Sequence, residues 1–363
     1  MATQAQSVKT YSPSGSFLNH QTRKFLVPAT LTLFASLIIG VFLLPMIYAT
    51  VVAFRNDKAF QESPNAPWWP AKAANFTYNG KEVPIYKVPF PDGSIRNLAL
   101  VDKGRQESGF VDPANPKEII RWQGVWRTLD RDWQFSPYTG NFTEVFKRDD
   151  VSFTRSFSNS LFIAAISLVL DLISCVLVAY GYSRFRFPGK DILFYVLIAT
   201  IILPTQVTVI ARFAMFNAIG WFGTWLPLIV PSLFANAFDV FLLRQFFLGI
   251  PKELDEAAMI DGASPLRILT SVILPNSWPV VTAVAIFHFL FKWNDFFEPL
   301  IYLSGVEPLQ TLPLAMAKLQ NTFGSSPSLL MATIVLAVAL PMIIFLVGNR
   351  QFMRGVVVTG IEK

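Results

Sequence analysis

Residues 253–275 read ELDEAAMIDGASPLRILTSVILP. They stand between two apolar blocks, GTWLPLIVPSLFANAFDVFLLRQFF (223–247) and NSWPVVTAVAIFHFLFKWNDFFEPLIYL (276–303). Pro251 suits the first position of a helix. Glu253, Asp255 and Glu256 crowd the first turns, where the helix dipole favours acids. Gly262 fits a C-terminal cap. Leu254, Ala257, Ala258 and Asp261 recur at helical spacing on one face. Ser264 and Pro265 then open a second helix that turns back into apolar sequence. The stretch therefore reads as a helix, a turn and a helix with a small apolar seam and an acidic rim. A solvated connector and a docking surface are both compatible with that pattern, and the paired alanines favour close approach by a partner.

The flanking blocks set the class. The chain has 363 residues, 53% hydrophobic and 15% charged, where soluble domains carry about 25% charged residues. Its apolar residues come in runs long enough to cross a bilayer, which takes about 20 helical residues. A water-soluble enzyme does not cluster its apolar residues in this way. One cysteine, Cys175, excludes an intrachain disulfide, and with His20 and His288 far apart a His/Cys metal site is not expected. No phosphate-binding loop, nucleophile elbow or HExxH motif is present. No catalytic, cofactor-binding or metal-ligating set is assigned, and the basic balance needs no nucleic acid. No cleaved signal peptide is expected.

Arg23 and Lys24 precede a first span over residues 25–54. Residues 55–154 differ in kind, with Pro, Gly, Trp and charges in short alternating runs, and predict a small, mainly β, water-facing insert. Trp68, Trp69, Trp122, Trp126 and Trp133 are expected mostly in its core. SPYTGNFTEVFKRDD predicts an interfacial helix before the next span. Further spans are expected over Ser156–Tyr182, Ile192–Phe216, Thr224–Phe247, Leu274–Leu303 and Ser328–Phe352. Short-loop Lys and Arg fall on one side, among them Arg184, Arg186, Lys190, Arg244, Lys252 and Arg267. The opposite short loops carry Lys318. Both termini and the 253–275 stretch are thereby expected in the cytoplasm and the insert outside.

Charged groups within spans are costly, so each is a functional candidate. Asp171, Asp239, Lys292, Asp295 and Glu298 are such groups. One turn separates Lys292 from Asp295, so they can pair. Trp293, Asn294 and Phe296 suit a sugar but equally suit helix packing. Pro204 and Gln206 predict a broken third span that exposes backbone groups. His288 is expected as a buried, hydrogen-bonded residue, and Asp171 as the partner of a neighbouring helix. The candidate pathway residues are Gln206, Asp239, Trp293, Asn294 and Asp295.

EAAMIDG followed by VILP resembles the EAA signature of ABC-importer membrane subunits, E-A-A-x3-G-x9-I-x-L-P. Glu256, Ala257, Ala258, Gly262, Leu274 and Pro275 match, and Val272 stands for Ile. YGYSRFRFPGK, WNDFFEPLIYLSG, LQTLPLAMAKLQ and FMRGVVVTGIEK extend the likeness over residues 150–363. They resemble the carbohydrate-uptake branch, specifically its maltose-transporter G-type permease. VVVTGIEK departs from the usual ending, and the 55–154 insert lies outside that pattern.

The resemblance implies an all-α polytopic membrane protein, six helices of type I ABC-importer permease architecture with a small extracytoplasmic β insert. It implies a cytoplasmic tail over 1–24, a five-helix core over 155–353 with a coupling helix over 251–267, and a cytoplasmic tail over 354–363. It assigns ATPase docking to Leu254, Glu256, Ala257, Ala258, Asp261 and Gly262. It implies no cofactor in this chain, with ATP and Mg in a partner ATPase dimer. Further implied partners are a second permease of the F-type, an extracytoplasmic solute-binding protein and membrane lipid. The expected function is sugar import at a bacterial or archaeal plasma membrane. The alternative is an ion-coupled secondary transporter using buried carboxylates such as Asp171, Asp239 and Asp295.

Overall fold

The computed structural model describes residues 16–57, 66–147, 152–322 and 326–357. The chain divides into residues 1–51 and residues 52–363. Helix α1, Ser16–Ala53, makes up the described part of the first unit. It begins ahead of the expected boundary at residue 25, because its polar start contains no helix breaker before Pro28. From Leu26 to Tyr48 it presents large apolar side chains outward, Phe42 being 78% exposed, as a lipid-facing helix must. Pro45 sits inside it without ending it. The expected tail residues 1–15 and 358–363 lie outside the described residues.

The second unit opens with the insert, which is a β-domain. Strand β1 (Ala71–Ala73) pairs antiparallel with β7 (Trp133–Phe135). Between them β2 (Asn75–Tyr78), β3 (Lys81–Pro89), β4 (Ile95–Asp102), β5 (Glu107–Asp112) and β6 (Asn115–Gln123) form an antiparallel meander in that order. Tyr78 faces Lys81 across a turn at Asn79 (φ 50°) and Gly80 (φ 76°). Asn-Gly is the pair that tolerates positive φ at both central positions of a tight hairpin. At the next hairpin Asp92 accepts from the Ser94 backbone N–H and hydroxyl and from Arg96. The Ser94 hydrogen bonds come first among the causes that hold the Asp92 carboxyl below its usual range.

The core of the insert is Tyr86, Val88, Leu98, Leu100, Phe110 and Leu129. Trp122 and Trp126 pack on its rim, half-buried, and the Trp122 indole donates to the Pro89 carbonyl at 3.1 Å. Trp68 is exposed. The tryptophans therefore edge this core rather than fill it: a single-layer meander leaves too little depth to enclose an indole, and Phe110 and aliphatic residues occupy the centre. Helix α2 (Gly140–Lys147) follows, as SPYTGNFTEVFKRDD predicts.

The helical part is built on α3 (Phe153–Arg184), capped by Ser152. Next come α4 (Lys190–Ala199) and α5 (Thr205–Ala218), which meet at 100° around Pro204. Proline there lacks the N–H that would continue α4. Helix α6 (Leu226–Ile229), a 3-10 turn over Val230–Leu233 and α7 (Ala237–Gly249) form an interrupted span. Pro227 and Pro231 stand at its breaks, and the Asn236 side chain caps α7. Helices α8 (Lys252–Ile260) and α9 (Pro265–Ile268) lead through a π-helical segment, Leu269–Ile273, to Pro275. There the chain bends by 84° into α10 (Trp278–Trp293). Three final helices are α11 (Phe297–Leu303), α12 (Leu312–Thr322) and α13 (Pro327–Val357). Asp57 anchors the start of α13 by accepting from the Ser328 N–H and hydroxyl.

Among the described residues, four helical stretches are long and apolar enough to cross a membrane, up to 6 if each bent pair is one span. The expected fifth span over Leu274–Leu303 contains α10 and α11, parted at Asn294–Phe296. Helix α3 is the centre of the bundle and packs against α7, α10 and α12. The core around it joins Cys175, Ala179, Val240, Leu243, Phe247, Ile273 and Val284.

Candidate functional site

Two features stand out from this scaffold, a capped helix at one end and a polar cavity among the spans. The helix is α8, capped at its C-terminal end. Pro251 is its N-cap residue rather than its first helical residue, one position earlier than expected. At the other end Gly262 takes φ +78°. Its N–H donates to the Met259 carbonyl and the Ala263 N–H to the Ala258 carbonyl, at 3.0 and 2.9 Å. This is a Schellman cap, which needs a residue at ease with positive φ. Ser264 then caps α9 by accepting from the Arg267 N–H, with Pro265 first in that helix.

The inner face of α8 is fixed by an ion pair absent from the sequence reading. Asp255 Oδ2 lies 2.8 Å from Arg184 Nε, and both side chains are buried. Arg184 Nη2 also donates to the Ile250 carbonyl at 3.0 Å. Ala258 is half-buried against the core. Of the expected docking set, Leu254, Glu256, Ala257, Asp261 and Gly262 are exposed, while Ala258 faces inward. Met259 and Ile260 join the exposed set, and Ile260 is 87% exposed. Arg184 and Asp255 stand 71 residues apart on different helices, so spacing along the chain gave no signal for their pairing.

The cavity has a volume of about 430 Å³ and lies among α3, α5, α7 and α10. One wall carries Asp171 of α3, Asp239 of α7 and His288 of α10. His288 Nδ1 is 3.3 Å from Asp171 Oδ2 and 3.7 Å from Asp239 Oδ2. Cys175 Sγ donates to Asp171 Oδ1 at 3.4 Å and accepts from the Asn236 N–H at 3.2 Å. The other wall carries Arg212, Lys292 and Glu298. Arg212 Nη1 is 2.7 Å and Lys292 Nζ 3.6 Å from the Glu298 carboxylate. Lys292 also donates to the Leu228 carbonyl, freed where α6 gives way to the 3-10 turn. Phe234, Phe238, Phe287 and Phe291 line the space between the walls.

Lys292 pairs with Glu298, not with Asp295 as its spacing allows. The α10 helix ends at Trp293, so the i, i+3 geometry is lost, and Asp295 turns to cap α11 by accepting from the Glu298 N–H at 3.2 Å. Among the candidate pathway residues, Asp239 lines this cavity. Trp293 is buried, stacked on Phe289, and donates to the Ala337 carbonyl at 3.2 Å. With Asn294 it borders a separate, largely apolar cavity beside α12 and α13. Gln206 is the second residue of α5, and its side chain lies outside the described residues. Arg212 was not singled out in the sequence, though a lone arginine inside TQVTVIARFAMFNA carries the signal of a buried charge.

Comparison with known proteins assigns the class. Residues 172–356, half of the chain, match the family described as Binding-protein-dependent transport system inner membrane component, and the chain belongs to it. It is a multi-pass membrane permease of the ABC-importer type rather than an ion-coupled transporter. It is 30% identical over 256 residues to the Osmoprotective compounds uptake permease protein GgtD of Synechocystis sp., covering 70% of this chain and 85% of that one. It is 29% identical to the Alpha-glucoside transport system permease protein AglG of Rhizobium meliloti, covering 61% of this chain and 60% of that protein. In fold it resembles a chain of a bacterial ABC transporter involved in the import of the acidic polysaccharide alginate, with a TM-score of 0.60 and 18% identity. That match covers 95% of this chain and 100% of the other.

Proposed function

We propose that the chain is one permease subunit of an ATP-driven, binding-protein-dependent importer for sugars or related polyols and glycosides. Its relatives named for osmoprotective compounds and alpha-glucosides support the substrate class. The observation that carries the motor assignment is α8, which is pinned from behind by Asp255 and turns Leu254, Met259 and Ile260 outward. Apolar side chains so displayed on a nine-residue helix fit the cleft of a partner protein. In this reading Leu254, Glu256, Ala257, Ala258, Asp261 and Gly262 form the ATPase-docking segment, with Ala258 acting as its hinge to the core. The chain makes and breaks no bonds; ATP and Mg belong to a partner ATPase dimer.

The remaining architecture follows from the same reading. Each bent pair counts as one span, giving six, with the α8 side and both termini cytoplasmic and the β insert outside. A second permease supplies the other half of the pathway, and a solute-binding protein delivers the sugar near the insert. The cavity is the stretch of pathway owned by this chain. Arg212 Nε and Nη2 and His288 Nε2 have no hydrogen-bond partner within the described residues. Sugar hydroxyls both donate and accept, so they can satisfy groups of either kind while the phenyl rings cover the sugar faces.

The test is ATP hydrolysis and sugar uptake by the complex reconstituted with its ATPase, comparing wild type with Glu256→Lys and Gly262→Asp. The expected result is loss of uptake and of coupled hydrolysis with the permease still folded. Unchanged uptake and hydrolysis in both variants would make α8 a connector and remove the proposal.

A further inference from the structure

The wall of the cavity formed by Asp171, Asp239 and His288 sets two carboxylates against one imidazole. Each residue comes from a different helix, α3, α7 and α10, and each is more than nine-tenths buried. The nearby cations lie across the cavity: Arg212 Nη1 and Lys292 both address Glu298, and Lys292 also holds the Leu228 carbonyl. Two carboxylates thus share one imidazole at a depth where an uncompensated charge costs several kcal/mol. Asp171 Oδ2, on a side chain 1% exposed, has no hydrogen-bond partner although it points at His288 Nδ1.

One ligand atom from each of the three residues lies within 4.8 Å of the others. Oxygen and nitrogen ligands about 2.1 Å from a common ion stand roughly 3.0–3.4 Å apart at tetrahedral or octahedral angles. The observed 3.3 Å and 3.7 Å separations from His288 Nδ1 reach that range with a shift of a few tenths of an ångström. The Cys175 thiol holds the second oxygen of Asp171, which orients the carboxylate as an outer partner does in a metal site. We propose that Asp171, Asp239 and His288 bind one divalent cation, of the Mn²⁺ or Zn²⁺ type that accepts two carboxylates and an imidazole. The ion cancels the two negative charges and ties α3, α7 and α10 together at the cavity wall. All three residues line the cavity, which gives the ion a way in. The proposal does not depend on the substrate being a sugar.

The experiment uses the whole complex, purified without chelator, without a polyhistidine tag and free of nucleotide. Its metal content is measured by mass spectrometry. The complex is then stripped and titrated with Mn²⁺ alone, followed by electron paramagnetic resonance. The expected result is about one divalent ion per permease chain, a nitrogen coupling from one imidazole, and Mn²⁺ affinity lowered on the order of tenfold or more in Asp239→Asn and His288→Gln. The nitrogen coupling is read on the wild type, so it decides the matter even if a variant does not fold. Substoichiometric metal with no imidazole coupling overturns the proposal and leaves a protonated His288 bridging the two carboxylates. Wild-type affinity in both folded variants overturns it equally.

Discussion

Arg184, the last residue of α3, and Asp255, in the first turn of α8, form a buried ion pair at 2.8 Å. It joins the exposed helix to the central span of the bundle, which carries Asp171 13 residues back along α3 in the cavity wall. Arg184 also donates to the Ile250 carbonyl, so one side chain ties both α8 and the loop before it to the end of α3. Removing one member leaves the other charge buried and unpaired. Asp255→Ala is expected to cost about 3–5 kcal/mol, and the double replacement Arg184→Met/Asp255→Leu to recover most of it. Thermal unfolding of the detergent-solubilised permease reads both; equal losses in the single and double variants would show that the pair is not the cause.

Gly262 provides a second handle on the same helix. A Cβ there meets nothing within 4 Å, so Gly262→Ala introduces backbone strain without a clash. At φ +78° that strain is about 1–2 kcal/mol. Faster amide exchange at Gly262 and Ala263, with the α7 amides unchanged, is the expected signature.

Asp295 and Glu298 separate cleanly by their contacts. Asparagine caps a helix about as well as aspartate, so Asp295→Asn is expected to leave stability within a few tenths of a kcal/mol, while Asp295→Ala costs about 1 kcal/mol. Glu298→Gln instead strips the counter-charge from Arg212 and Lys292 and is expected to lower both stability and uptake. If Asp295→Asn proved the more damaging of the two, Asp295 would be the true partner of Lys292.

The lone cysteine makes topology measurable. Cys175 is fully buried, so an impermeant maleimide should label the native chain only slowly in intact cells. Lys103→Cys on the insert is expected to label from outside, and Lys252→Cys on α8 only after the membrane is opened. Labelling of both from the same side would refute the proposed orientation.

Much of the helical end was legible because local rules decide it. A Schellman glycine, a Ser-Pro start and acids in a first turn are set by residues a few positions apart, and Gly262, Ser264 and Pro265 take the roles their types allow. The Asn79-Gly80 hairpin was not singled out in the sequence, although two adjacent residues fix it. The break at Pro204 was expected. The larger interruption at Leu226–Asn236 was not, although Pro227 and Pro231 mark it: a strongly apolar run hides helix breaks when hydropathy alone is read.

The sequence by itself determined that apolar blocks cross a membrane, that a β insert interrupts them and that α8 is a capped, separate helix. Those are properties of composition, period and short-range backbone geometry. Only the tertiary structure decided which charges meet. Lys292 chose Glu298 over the nearer Asp295 because α10 ends between them. Trp293 went to the packing core because its indole reaches the Ala337 carbonyl on α13. Asp171, Asp239 and His288 came together although as many as 117 residues separate them, because three helices that share no local signal pack side by side. In a medium without water each buried charge must find a partner, and the choice among candidates is made by the crossing of helices, which residue spacing along the chain does not encode.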